Sequence, residues 1–154
     1  MIPPALAWLT SRGRRVIVRT RVVLAKPNSF MKVSGGPVSA LAKYYSVEPA
    51  RLVVVHDELD IPFDTVRLKI GGGPGGHNGV KDVAKALGPD VIRVRVGIGR
   101  PPGRMDAADF VLRDFSGPER DALPTLISEA ADAVELIARD GLTAAQQAVH
   151  APKG

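Results

Sequence analysis

The chain has no cysteine among its 154 residues, which excludes disulfides, thiolate zinc sites and a cysteine nucleophile and fits a reducing compartment. No apolar run approaches the roughly 18 residues needed to cross a bilayer. Ala5-Leu6-Ala7-Trp8-Leu9 is too short for a secretory core, with no basic residue ahead of it. A cytoplasmic protein without membrane contact is expected. Acidic residues are missing from positions 1 to 47, which hold eight basic ones: Arg12, Arg14, Arg15, Arg19, Arg21, Lys26, Lys32 and Lys43. The other 107 residues carry 13 basic and 16 acidic groups, so the net charge of +5 conceals a one-signed segment. Such a segment attracts phosphate polyanions through its long-range field and through counterion release, which points to nucleic acid as a partner.

What the chain has in excess is glycine at one place. Gly71-Gly72-Gly73-Pro74-Gly75-Gly76-His77-Asn78-Gly79 packs six glycines into nine residues. Glycine at that density weakens a fold unless the backbone must take positive φ or approach a partner closely, so the segment reads as a binding loop. It follows an alternating strand, Thr65 to Ile70, and precedes a short amphipathic helix, Val80 to Leu87, closed by Gly88. Arg15 to Ala25 alternates as a strand, Val38 to Tyr45 reads as a helix, and Leu52 to Val55 reads as a strand buried on both faces. His56-Asp57-Glu58-Leu59-Asp60 stands at the carboxyl end of that strand, where open α/β sheets bind ligands. Arg93 to Gly99 alternates again, with Arg93 and Arg95 on one face.

Ser116 and Glu119 have capping-box spacing and open a helix towards Asp140 that Gly141 ends; Pro124 is expected to kink it or to confine its regular part to later residues. Thr143 is placed as the cap of a last helix through Val149. These elements predict one α/β domain over residues 1 to 154, with a mixed, twisted sheet and helices on both faces.

Gly71-x-Gly73-x-x-Gly76 formally matches the dinucleotide fingerprint. However, the strand before it alternates with charges, Pro74 interrupts the loop, and no acidic residue ends a following buried strand. A Walker loop fails because His77-Asn78 follows Gly76. His56, Asp57, Glu58, Asp60 and His77 offer oxygen and imidazole ligands, but their spacing is not diagnostic of a metal. No cofactor and no metal are expected.

Four segments together resemble the bacterial peptidyl-tRNA hydrolase family in order and spacing. They are Pro27-x-x-Phe30-Met31-x-x-Ser34-Gly35, then His56-Asp57-Glu58-Leu59-Asp60, then Gly71-Gly72-Gly73-x-Gly75-Gly76-His77-Asn78-Gly79, then Arg93-x-Arg95-x-Gly97-Ile98-Gly99-Arg100-Pro101. The resemblance runs from about Val22 to the C-terminus and leaves residues 1–21 unmatched. It implies a cofactor-independent hydrolase that cleaves the ester joining a peptide to the terminal ribose of tRNA and so recycles tRNA during translation, acting mostly as a monomer. It further implies that Asp57 orients a catalytic histidine and that Asn78 contacts the substrate near the scissile ester. Phe30 and Met31 are implied to line the pocket for the tRNA end, with Lys32, Gly76 and His77 beside the substrate. Arg67, Lys69, Arg93 and Arg95 are in positions suited to tRNA phosphates, or to ion pairs with neighbouring carboxylates. Phe30 and Met31 equally suit a core, and Asn78 equally suits a helix cap.

The departures are specific. The family's first strand, its Gly-Asn-Pro-Gly loop and the segment carrying its catalytic histidine have no counterpart, and Met1 to Arg21 contains no histidine. Lys32 replaces an asparagine. The chain is therefore expected to lack the first strand, to expose strand edges that favour self-association, and to be weakly active or inactive, with His77 as a substitute base. The alternative is a non-catalytic tRNA- or RNA-binding domain of the same fold.

Overall fold

The structure, a computed structural model, describes residues 21–28, 33–73 and 77–151, together with the backbone of two short strands nearer the N-terminus. Those strands, β1 (Leu6–Leu9) and β2 (Arg15–Val18), form an antiparallel hairpin with Leu6 opposite Val18. The strand expected over Arg15 to Ala25 thus keeps its first four residues, and Arg21 to Asn28 carries no strand.

The main sheet has three strands in the order β3-β5-β4. β3 (Val53–Glu58) runs parallel to β5 (Ile92–Gly97), and β4 (Val66–Ile70) runs antiparallel to it, so the sheet is mixed as expected. Register places Val66, Leu68, Val94, Val96 and Ile92 on one face. Helices α4 (Gly117–Asp140) and α5 (Leu142–Val149) bury that face with Leu126, Ala130, Ala133, Ile137 and Ala145. The opposite face carries His56, Glu58, Arg67, Lys69, Arg93 and Arg95. The glycine loop and the start of α2 (Asn78–Leu87) lie against it: Arg93 reaches the Gly73 carbonyl and the His56 ring meets the His77 ring.

Burial in β3 reverses the sequence expectation. Val55 is 51% exposed, whereas His56 and Glu58 are the buried residues of the strand. The reason is the placing of the helices: α4 and α5 pack on β4 and β5, and among the described residues β3 lies at the edge of the sheet, so its valines are not covered on both faces. Its polar residues are drawn inward by a buried cation, Arg93.

α1 (Gly35–Tyr44) packs against α2. The approach is close because Gly35 has no Cβ; one would run into the Asp82 backbone, and the Asp82 carboxylate instead accepts from the Gly35 amide at 2.6 Å. α4 is opened by the expected capping box, Ser116 with Glu119, but it continues unbroken across Pro124. Proline there removes one intrahelical bond, which the cap and the buried row from Leu126 to Ile137 outweigh. A helix not foreseen, α3 (Ala107–Leu112), is capped by Asp106. α5 starts after Gly141, which places Thr143 inside the helix and not at its cap.

One of the strand edges expected to be open is closed. On the outer side of β4 the Leu68 amide donates to His150 Nε2 at 2.9 Å, and Gln146 Nε2 donates to the Leu68 carbonyl at 3.2 Å. Two side chains from the end of α5 thereby occupy the hydrogen-bonding groups another strand would need.

Candidate active site

Asp57 stands near the carboxyl end of β3, and His77 ends the glycine loop as the N-cap of α2. The two meet: His77 Nε2 lies 3.0 Å from Asp57 Oδ1. Sequence places them 20 residues apart; the β3–β4 excursion and the glycine loop close that gap. Gly71 and Gly72 have φ of 64° and 79°, the left-handed conformation for which glycine is suited, so the loop turns as its composition predicted.

The protons in this pair follow from the hydrogen bonds. The Val80 amide donates to His77 Nδ1 at 3.2 Å, so Nδ1 is unprotonated and Nε2 carries the hydrogen that is donated to Asp57. That bond is the main cause holding the Asp57 carboxyl below its ordinary range, with burial acting the other way. His77, not Asn78, is the helix cap; Asn78 is the first residue of α2, which leaves its amide uncommitted to capping.

The neighbouring imidazole is committed as well. Arg93 Nε donates to His56 Nε2 at 3.0 Å, so the other ring nitrogen, Nδ1, carries the proton and donates to the Asp57 carbonyl at 2.7 Å. Burial, helped by Arg93, lowers the His56 pKa from 6.5 to about 4. His150, the third histidine of the chain, spends its lone pair on the Leu68 amide, and its pKa is lowered by burial and then by Arg67 and Arg95. A neutral imidazole has one lone pair. All three in this chain are in use.

Arg93 departs from the role expected of it. It is 2% exposed, with Nη1 donating to the Gly73 carbonyl at 2.6 Å and Nη2 3.6 Å from the Glu58 carboxylate, so its guanidinium faces inward, away from any phosphate. Burial pulls its pKa down and Glu58 opposes this. Arg67, Lys69 and Arg95 share the same sheet face, and Arg95 Nε is buried without a partner among the described residues. Phe30, Met31, Lys32 and Gly76 lie outside the described residues.

A cleft of about 240 Å³ opens beside Asp57, walled by Ile98, Phe110, Arg113, Phe115 and Glu119. Sequence reading did not find this wall, because α3 carries no motif and the capping box that opens α4 points to a helix start and not to a site; only the fold brings them to the β3 end. Among the described residues no three His, Asp or Glu side chains converge as metal ligands, and Asp60 is turned to Arg100.

A carboxylate bonded to an imidazole at the end of a parallel strand, beside a cleft lined by both apolar and charged side chains, has the parts that general-base hydrolysis uses in an α/β domain. Comparison with known proteins makes the assignment specific. The model of the peptidyl-tRNA hydrolase family matches residues 8–154, starting upstream of Val22 where the motifs begin. A peptidyl-tRNA hydrolase of Arthrobacter sp. (strain FB24) is 64% identical over 139 residues, covering 90% of this chain and 72% of the relative. That of Leifsonia xyli subsp. xyli is 62% identical, covering 91% and 73%. The crystal structure of the Acinetobacter baumannii Arg119Gln mutant enzyme superposes with a TM-score of 0.76 at 31% identity, covering 94% of this chain and 70% of that one. The chain belongs to the peptidyl-tRNA hydrolase family.

Proposed function

We propose that this chain acts on the ester between peptide and tRNA at the Asp57–His77–Asn78 site, recycling tRNA in the cytoplasm, and that its hydrolysis is slow. The observation that carries this reading is the Asp57–His77 bond together with the state of His77 Nδ1. A carboxylate bound to one ring nitrogen favours the imidazolium formed when the other takes a proton from water. Here that other nitrogen already accepts from the Val80 amide, so its lone pair is engaged and not free to meet a water. His77 must leave its cap before it can serve, at a cost of about 1 kcal/mol. Asn78, freed from capping, is the amide that contacts the substrate near the ester. Phe30 and Met31 are assigned to the tRNA end, and Lys32 and Gly76 to substrate binding, on the family resemblance alone. Arg67, Lys69 and Arg95 take phosphates. The protein works as a monomer, with weak self-association through the outer edge of β3 at high concentration.

Release of the blocked amino acid from N-acetyl-aminoacyl-tRNA, measured for the parent chain, Asp57→Asn and His77→Ala, tests this. Slow release that both substitutions abolish is expected. A second reading, tRNA binding without hydrolysis, is favoured by the three committed imidazoles; binding with no release by the parent chain would establish it in place of the first.

A further inference from the structure

One buried side chain touches both halves of this site without facing the cleft. The Arg93 guanidinium grips the glycine loop through the Gly73 carbonyl, four residues before His77. Its Nε holds His56 in a single tautomer, and His56 in turn donates to the Asp57 carbonyl. The same His56 ring stands edge-on to His77, with centroids 4.9 Å apart. Glu58 balances the charge from the adjoining strand. A glycine-rich segment has few side chains with which to fix itself, and this cation, reaching across from β5, supplies a tether at Gly73.

We infer that Arg93 is a positioning residue for the esterase site: by clamping Gly73 and fixing His56 it sets the place of His77 and Asn78 against Asp57. This rests on the hydrolytic reading for its catalytic consequence, but the geometry it claims can be read without turnover. Arg93 has a planar fork of donors, and lysine cannot satisfy His56, Gly73 and Glu58 together.

The test is Arg93→Lys, compared with the parent chain by side-chain nitrogen NMR of the three histidines and by hydrolysis of N-acetyl-aminoacyl-tRNA. His56 must change, as the direct partner, and His150, bound at the β4 edge, must not. The deciding signal is His77: it is expected to pass from one tautomer to a mixture, with kcat falling at least tenfold and KM changing less than twofold. An unchanged His77 spectrum would reduce Arg93 to a structural cation and overturn the inference, whatever the rate does. Should the parent chain show no hydrolysis, the esterase reading fails while the His77 signal still decides the positioning. Where Arg93→Lys does not fold, the double variant Arg93→Met/Glu58→Gln, which buries no charge, carries the same measurement.

Discussion

Acid should destabilise this protein well above the range in which carboxylates titrate, and His56 is the reason. Its imidazole is 6% exposed, and Arg93 already points an N–H at Nε2, so a proton placed there would meet both a hydrogen and a positive charge. The fold therefore binds the neutral form, with a pKa of about 4 against 6.5 for a free imidazole. A pKa lowered by folding means that the contribution is intact above 6.5 and is lost as pH falls from 6.5 towards 4. At about 1.4 kcal/mol per pH step the full loss is about 3 kcal/mol, a large share of the roughly 5–15 kcal/mol that holds a typical domain together. The assay is urea unfolding of the parent chain and of His56→Gln at pH 7.5, 6, 5 and 4.5. Glutamine can accept from Arg93 and donate to the Asp57 carbonyl but does not titrate. His150 shifts in the same direction in both proteins, so it cancels in the difference. The variant is expected to be less stable or equal at pH 7.5 and to lose less stability on acidification. Parallel stability curves for the two proteins would refute the reasoning.

Further outcomes follow from the same geometry. Glu58→Ala leaves the Arg93 cation buried without its counter-charge and should cost about 3–5 kcal/mol, read as a drop in the denaturation midpoint. Gly97→Ala should cost about 3 kcal/mol in the same assay, because a Cβ there would run into Ile61 and the Pro62 carbonyl where β5 leaves the sheet. Ser116→Ala removes one half of the α4 capping box and should cost about 1 kcal/mol in that assay, with no effect on tRNA affinity. Arg95→Gln should weaken tRNA binding and reduce the slope of log K against log salt by about 1, measured by filter binding, whereas an unchanged slope would remove Arg95 from the phosphate contacts.

Much of the architecture was legible because it rests on local chemistry. Alternation over Thr65–Ile70 and Arg93–Gly99, the Ser116–Glu119 box and the glycines closing α2 and α4 each act within a few residues, so the elements appear close to where they were expected, β5 ending two residues early at Gly97. Asp57, His77 and Asn78 were singled out through the family resemblance of the segments that hold them. What went astray depended on neighbours the sequence does not display. Leu52 to Val55 read as a strand buried on both faces, yet only the fold decides that helices α4 and α5 pack on β4 and β5. Arg93 and Arg95 stand two residues apart on one face of one strand. Even so, the first is buried against His56, Glu58 and Gly73 while the second keeps a nitrogen without a partner among the described residues.

The sequence by itself thus determined most of the elements and the α/β class, because propensity, capping and the glycine loop are short-range effects. Only the tertiary structure decided that Asp57 and His77 touch, that every imidazole lone pair is in use and that one cation of the basic face turns inward. Hydrogen-bond partners and desolvation are properties of what lies across the sheet, not along the chain.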